Sequence, residues 1–217
     1  MNLQLALESL PLLLKGAVMT LKISGIAAII GITLGTLIGL GRSFGLKWLS
    51  VLLGIYIEVL RGTPIYTQLL LVVFGLPRVL GVNFDEFRAG VFMIGINSSA
   101  YVAEIIRAGI QSIDKGQMEA ARSVGMSHGQ AMNFIILPQA FKRVIPPLVN
   151  EFVTLIKESS LVAAIALVEL TRTAQLIASR TYDPFTPLVV AALIYLSMTF
   201  TLSRLAGVLE RRMRASD

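Results

Sequence analysis

The sequence predicts an all-α, polytopic membrane protein, and three observations carry that prediction. Of its 217 residues, 55% are hydrophobic and mean hydropathy is +0.76. Water-soluble domains stay near roughly 45–50% apolar even with glycine counted. Several apolar blocks approach or reach the ~20 residues that a helix needs to cross a bilayer. Basic residues flank these blocks, which explains the formal charge of +6 better than a nucleic-acid partner does. The absence of cysteine excludes disulfides and thiolate metal sites. The N-terminus has neither a basic first segment nor an A-x-A site, so no cleavable signal peptide is expected.

One transmembrane domain over 1–217 is predicted, with five spans at about 11–41, 49–76, 89–111, 130–167 and 185–209. Residues 1–22 are apolar but punctuated by Glu8, Pro11, Lys15 and Lys22. They read as an interfacial lead-in whose two lysines share a helical face and snorkel. Ile23–Gly41 is uncharged, the core of the first span. Its Gly25, Gly31, Gly35 and Gly39 include two overlapping G-x-x-x-G repeats, a close-packing face between membrane helices. Arg42 and Lys47 mark the exit, and Trp48 suits an interface anchor.

The second span is interrupted. Leu49–Ile57 and Ile65–Leu76 are apolar, while Glu58–Pro64 between them is polar. Pro64 pushes Thr63 out of the helical region and removes a donor, and Gly62 weakens the helix before it. Backbone groups freed within a membrane must be buried in protein or line a cavity, and broken helices commonly form transporter sites. Pro77–Arg88 reads as a short loop. Ala89–Ile110, the third span, carries Asn97, Tyr101 and Glu104 on one face. A carboxylate there costs roughly 2.5–3.5 kcal/mol on insertion scales, so it must face protein or water.

A polar helix of about two turns is expected at 115–125. Asp114 can cap it, Glu119 lies near a helix end where negative charge is favoured, and Gly125 can close it in the left-handed conformation. Ser127–Gln130 has a capping-box pattern, so a new helix begins at once. A two-turn helix is unstable alone in water and needs something packed on it. The small Ala120, Ala121 and Gly125 let a partner surface come close. Pro138 bends the helix that follows, and Pro146-Pro147 opens the fourth span, which holds Glu151, Lys157, Glu158, Ser159 and Ser160. Val168–Phe185 is an amphipathic connection, Pro187–Ser203 a clean fifth span, and Glu210–Arg214 a basic tail.

Glu119-Ala120-Ala121, three residues, Gly125, nine residues, then Ile135-Ile136-Leu137-Pro138 resembles in full the EAA loop of ABC importer permeases. Glu58–Pro64 (EVLRGTP) and Ile96–Glu104 (INSSAYVAE) resemble the polar amino acid uptake subfamily. The resemblance runs through nearly the whole chain and implies the type I ABC importer fold. It implies that Glu119, Ala120, Ala121, Arg122 and Gly125 lie on a cytoplasmic coupling helix docked on a separate ATP-binding subunit. It further implies two such ATPases, a second permease chain (identical or homologous) around a central path, and an extracytoplasmic amino-acid-binding protein. ATP and magnesium would then bind the ATPase partner, with no cofactor on this chain.

Charge placement supplies a topology of its own. With five spans, eleven of the nineteen basic residues share one side, among them Arg107, Lys115, Arg122, Lys142 and Arg143. That side is cytoplasmic by the positive-inside rule, with the C-terminus and the Glu119 helix, which leaves the N-terminus outside. In a bacterium this is the cytoplasmic (inner) membrane.

No G-x-x-x-x-G-K-[ST] phosphate loop occurs, so any nucleotide site of that kind lies on another polypeptide. The single histidine, His128, falls in the capping box rather than in a catalytic dyad, and no spacing points to a metal site. The chain therefore reads as a permease and not an enzyme. Its expected substrate site comprises Arg61, Gly62, Thr63, Pro64, Asn97, Tyr101, Glu104, Glu158, Ser159 and Ser160. Freed amides and Arg61 suit a carboxylate, and Glu58, Glu104 or Glu158 an ammonium, which favours basic amino acids over glutamine or glutamate. The competing reading is an internal network, such as Arg61 with Glu58 or Lys157 with Glu104. A gradient-driven secondary transporter would use the same charges without a docking helix, and a channel subunit would conduct without saturating.

Overall fold

The computed structural model describes residues 1–44, 46–81 and 85–214, and every regular element among them is helical. Helix α1 (Leu3–Phe44) runs unbroken for 42 residues, through Pro11. At 1.5 Å per residue it is about 63 Å long, roughly twice a bilayer's hydrocarbon core. The expected interfacial lead-in is thus the first half of the same helix. Its Leu13 and Ala17 are buried against Leu170, Ala174 and Ile177 of α9 (Leu170–Thr181) and Ala191 of α10 (Phe185–Arg214). That cover explains why Leu13 and Ala17 pack into protein instead of lying on a membrane surface.

Helix α2 (Lys47–Gly62) and the following stretch Ile65–Val79 meet at 101°. Thr63 and Pro64 are both extended, as the proline dictates. Beyond the bend lie α3 (Ile65–Leu70), a π-helical turn (Leu71–Gly75) and α4 (Leu76–Leu80), which ends on the left-handed Gly81. Most of the expected Pro77–Arg88 loop is therefore helix. Its remainder includes residues 82–84, which lie outside the described residues. The same device recurs at Met132–Ile136, a second π turn. Each π turn runs directly into a Leu-Pro pair, and the Leu76 and Leu137 amides each bond five residues back, to Leu71 and Met132. Widening the turn makes room for the ring of Pro77 or Pro138 where an α-turn would clash.

Asp85 caps α5 (Glu86–Gln111) through the Arg88 amide at 2.8 Å. This helix fills the centre of the molecule and packs chiefly on α1. Gly31, Gly35 and Gly39 of α1 lie against Ser98, Val102, Ala103 and Ile106, and Gly95 of α5 against Ile30. The glycine face read from the sequence is a helix contact, although Gly25 has nothing within 4 Å of an added Cβ. Ile23 and Ala27 of α1, Leu69 of α3, Val91 and Ile94 of α5, and Leu155 and Val162 further along the chain form the main core.

After α5 come α6 (Lys115–Ser123), α7 (His128–Ala131) and α8 (Leu137–Glu158). Pro146 and Pro147 lie inside α8 rather than at its start. Proline fixes φ at a helical value, and membrane proteins tolerate the lost donor where neighbouring groups compensate. A 3-10 segment, Ser159–Ile165, ends on the left-handed Ala166. Glu169 then caps α9, its carboxylate accepting from the Thr171 and Arg172 amides. Asp183 closes the turn into α10, accepting from Thr186 Oγ1 (2.7 Å) and N (3.0 Å). Those bonds hold its carboxyl below the ordinary range.

Among the described residues three helices are long and apolar enough to cross a membrane: α1, α5 and α10 over Phe185–Val208. The bent pair makes a fourth if its halves form one span. Helix α8 is not among them. Lys142, Arg143, Glu151, Lys157 and Glu158 make it too polar by composition.

Candidate functional site

The break at Thr63-Pro64 leaves the last carbonyls of α2 without helical partners. Side chains answer two of them. Thr63 Oγ1 donates to the Val59 carbonyl at 2.8 Å. Gln68 Nε2 reaches back to the carbonyls of Leu60 (2.9 Å) and Thr63 (3.1 Å) and to Thr63 Oγ1 (2.6 Å). Asn97 of α5 completes the knot, with Nδ2 donating to the Leu60 carbonyl (3.1 Å) and Gln68 Oε1 (2.9 Å). Gln68 and Asn97 are both buried. Thr63 and Asn97 of the expected site are therefore tied into the bend itself. Gln68, absent from the sequence-based set, is its keystone. Its signal was a single amide within the apolar run Ile65–Leu76.

Beside the knot runs a charged seam shared by α2, α5 and α8. The Arg61 guanidinium lies 5.2 Å from the centre of the Tyr101 ring, a cation–π contact. Among the described residues Arg61 forms no ion pair, yet it is near enough to act electrostatically on Glu104 and Glu151. Glu104 pairs with Arg42 (3.3 Å) and with Arg107 one turn on. Neither of the internal pairs considered from the sequence, Arg61–Glu58 or Lys157–Glu104, is present among the described ion pairs. Glu151 accepts from Ser98 Oγ at 2.8 Å and acts electrostatically on Glu158. Arg61 and Tyr101 are thus in contact, Glu104 lies one turn from Tyr101 on α5, and Glu151 reaches the same helix through Ser98. Ser159 is fully buried with its hydroxyl on the Ile156 carbonyl, and Ser160 turns to the Lys157 carbonyl. Gly62 is open, with nothing within 4 Å of an added Cβ.

Sequence reasoning also passed over Glu169. It is fully buried, and Tyr195 Oη (2.7 Å) and Thr20 Oγ1 (3.3 Å) donate to it, tying α1, α9 and α10 together. Partners 149 and 26 residues away leave no local trace.

The second element singled out in the sequence is α6. Asp114 accepts from the Gly116 amide at 2.7 Å, and Gly125 is left-handed at φ +88°. Ser127 and Gln130 make both bonds of the capping box. Glu119 sits in the middle of the nine-residue helix rather than near an end, so its charge does not act on a terminus. Glu119, Ala120, Arg122 and Gly125 are exposed, whereas Ala121 is buried. Val124 is 77% exposed, an apolar residue presented at the tip. The base is anchored by a small core in which Ile113, Ile136 and Ala140 pack with Met118 and Ile110. Gln139 of α8 donates to Gln117 of α6 at 3.2 Å, and Arg143 donates to the Ser112 carbonyl at the end of α5. These contacts join α6 to α5 and α8.

Comparison with known proteins gives three kinds of match. Residues 31–215 match the family described as "Binding-protein-dependent transport system inner membrane component". The arginine transport system permease protein ArtQ of Bacillus subtilis (strain 168) is 42% identical over 219 residues, spanning all of both chains. The "Probable glutamine ABC transporter permease protein GlnM" of the same organism is 41% identical over 216 residues, again along both full lengths. Among solved structures, an amino acid ABC transporter crystallised with histidines superposes with a TM-score of 0.92. It is 48% identical, over 95% of this chain and 96% of that one. The MetNI methionine ABC transporter shares the fold (TM-score 0.78, 16% identity, 93% of this chain and 96% of that one).

Proposed function

This chain belongs to the family of binding-protein-dependent transport system inner membrane components, and from that premise we propose that it is the permease subunit of an ATP-driven importer of polar, basic L-amino acids. Proteins of this family are transport subunits, and ATP hydrolysis belongs to a partner chain. The observation that carries the proposal is α6, a short exposed helix rooted in α5 and α8, between helices apolar enough for a membrane.

Five spans are formed by α1, the bent pair α2–α4, α5, α8 and α10, with α8 turning Glu151 and Glu158 toward protein. The N-terminus lies outside and the C-terminus and α6 in the cytoplasm of a bacterial inner membrane. Two copies, identical or homologous, enclose a central path. Two ATPases, which hold ATP and magnesium, grip the Glu119, Ala120, Arg122 and Gly125 surface, with Ala121 setting the helix on its base. A binding protein delivers substrate from outside.

The seam is the substrate site. Arg61, held over Tyr101, meets the α-carboxylate beside Gly62 and Pro64. Glu104 is engaged by Arg42 and Arg107, so Glu151 and Glu158, which form no ion pair among the described residues, favour a cationic side chain. Thr63, Asn97, Ser159 and Ser160 shape that wall from behind. Uptake of labelled arginine into proteoliposomes containing the assembled transporter, with excess glutamine as competitor, tests the specificity. Strong competition by lysine or histidine and weak competition by glutamine is expected, and the reverse order assigns the site to glutamine. Unchanged apparent affinity in assembled Arg61→Ala and Glu104→Gln variants would move the site elsewhere. The chain has no cysteine, so single introduced cysteines in α6 report its sidedness without background. Labelling of α6 from outside would overturn the topology.

A further inference from the structure

At the far end of the charged seam, a solvent-open cleft of about 430 Å³ lies where four helix ends converge. Arg42 and Ser43 come from the end of α1, Ser50 from the start of α2, Arg107 and Gln111 from the end of α5, and His128 from α7. Its charges do not balance. The Arg42 and Arg107 side chains are only 27% and 28% exposed, and both pair with one carboxylate, Glu104. Among the described residues that line the cleft there is no carboxylate. Arg107 Nη1 donates to the neutral Gln111. The Arg42 guanidinium lies against Gly54 of α2, 3.6–3.8 Å from where a Cβ would stand, an ordinary packing distance. Two partly buried guanidinium groups sharing one carboxylate leave a net positive charge, and their partial burial strengthens its attraction for an anion. Guanidinium groups with hydroxyl and amide neighbours match the oxygens of a phosphate.

We propose that this cleft binds a phosphate group, presented by the headgroup of an anionic phospholipid or as free phosphate. Bound there, it bridges α1, α2 and α5 to the start of α7, immediately after α6. Occupancy thus couples the seam's Glu104 to the exposed helix.

The test uses the full-length chain in phosphatidylcholine nanodiscs and reads binding alone, so its outcome is independent of the transported substrate. In one arm inorganic phosphate is titrated by calorimetry. In the other, phosphatidylglycerol is added and the lipids retained per chain are counted by native mass spectrometry. Saturable binding in the first arm assigns a soluble phosphate, and selective phosphatidylglycerol retention assigns a lipid. Gln111→Glu is the informative variant, since it supplies the missing negative charge beside Arg107 with little change in shape. It should weaken binding roughly tenfold or more, as should Arg42→Gln. No saturable binding in either arm, or undiminished binding in a Gln111→Glu chain that elutes and unfolds like the parent, overturns the proposal.

Discussion

The contact between α1 and α5 can be tested with a pair of substitutions on one helix. A Cβ added to Gly35 would stand 2.5 Å from the Cβ of Val102 and 2.6 Å from the Ser99 carbonyl oxygen. Carbon atoms in good contact sit about 3.5–4.0 Å apart, so the two helices must separate by about 1 Å. The obstacles are a backbone carbonyl and a β-branched side chain, neither of which can swing aside. Overpacking of this kind costs about 1–3 kcal/mol. Alanine also favours a helix over glycine by roughly 1 kcal/mol in its own right, which would mask part of the loss. Gly25→Ala removes that ambiguity, because it brings the same gain where nothing lies within 4 Å. The difference between the two variants is then the packing cost alone. Unfolding in mixed micelles, titrated with a denaturing detergent and followed by circular dichroism, measures it. Gly35→Ala should unfold at a clearly lower detergent fraction than Gly25→Ala. Coincident curves would show that α1 and α5 do not approach as closely as described.

Three further outcomes follow from the same geometry. Gln68→Leu takes the donor from the Thr63 carbonyl and leaves the Leu60 carbonyl and the Asn97 amide with only each other, and should cost about 1–3 kcal/mol in the same titration. A chain as stable as the parent would mean that the bend is held some other way. Gly125→Val forces a β-branched residue to φ +88°, a strain of roughly 1–2 kcal/mol. ATP hydrolysis by the assembled transporter should then continue while uptake falls, and intact coupled uptake would count against docking through α6. Tyr101→Phe keeps the ring beneath Arg61 and Tyr101→Leu removes it. Apparent affinity for arginine should stay near parental in the first and weaken several-fold in the second, an effect of about 0.5–1 kcal/mol or more. Equal affinities would detach Tyr101 from the site.

What could be read from the sequence was what neighbouring residues decide. Thr63-Pro64 breaks a helix because a ring clashes with the residue before it. Gly125 ends one because only glycine takes that φ cheaply, and Ser127 finds Gln130 three residues on. The glycine stripe of α1 was legible for the same reason, its spacing being a property of one helix. Pairings across the fold were not. Glu104 takes Arg42 from 62 residues away, Asn97 meets Gln68, and Glu169 finds Thr20 and Tyr195. Prolines misled in the opposite direction. Pro11, Pro146 and Pro147 look like boundaries, yet their helices run through them because packing outweighs local preference.

The amide knot at the bend bears on how this protein moves. Gln68 and Asn97 already meet the loose carbonyls at the corner, so the right angle is a built-in shape and not a posture induced by cargo. A corner stitched in this way to α5 resists flexing and travels as one piece with that helix. Any opening and closing of the route must then pivot at joints lying outside it, and the face that carries Arg61 moves as a solid wall rather than a folding door.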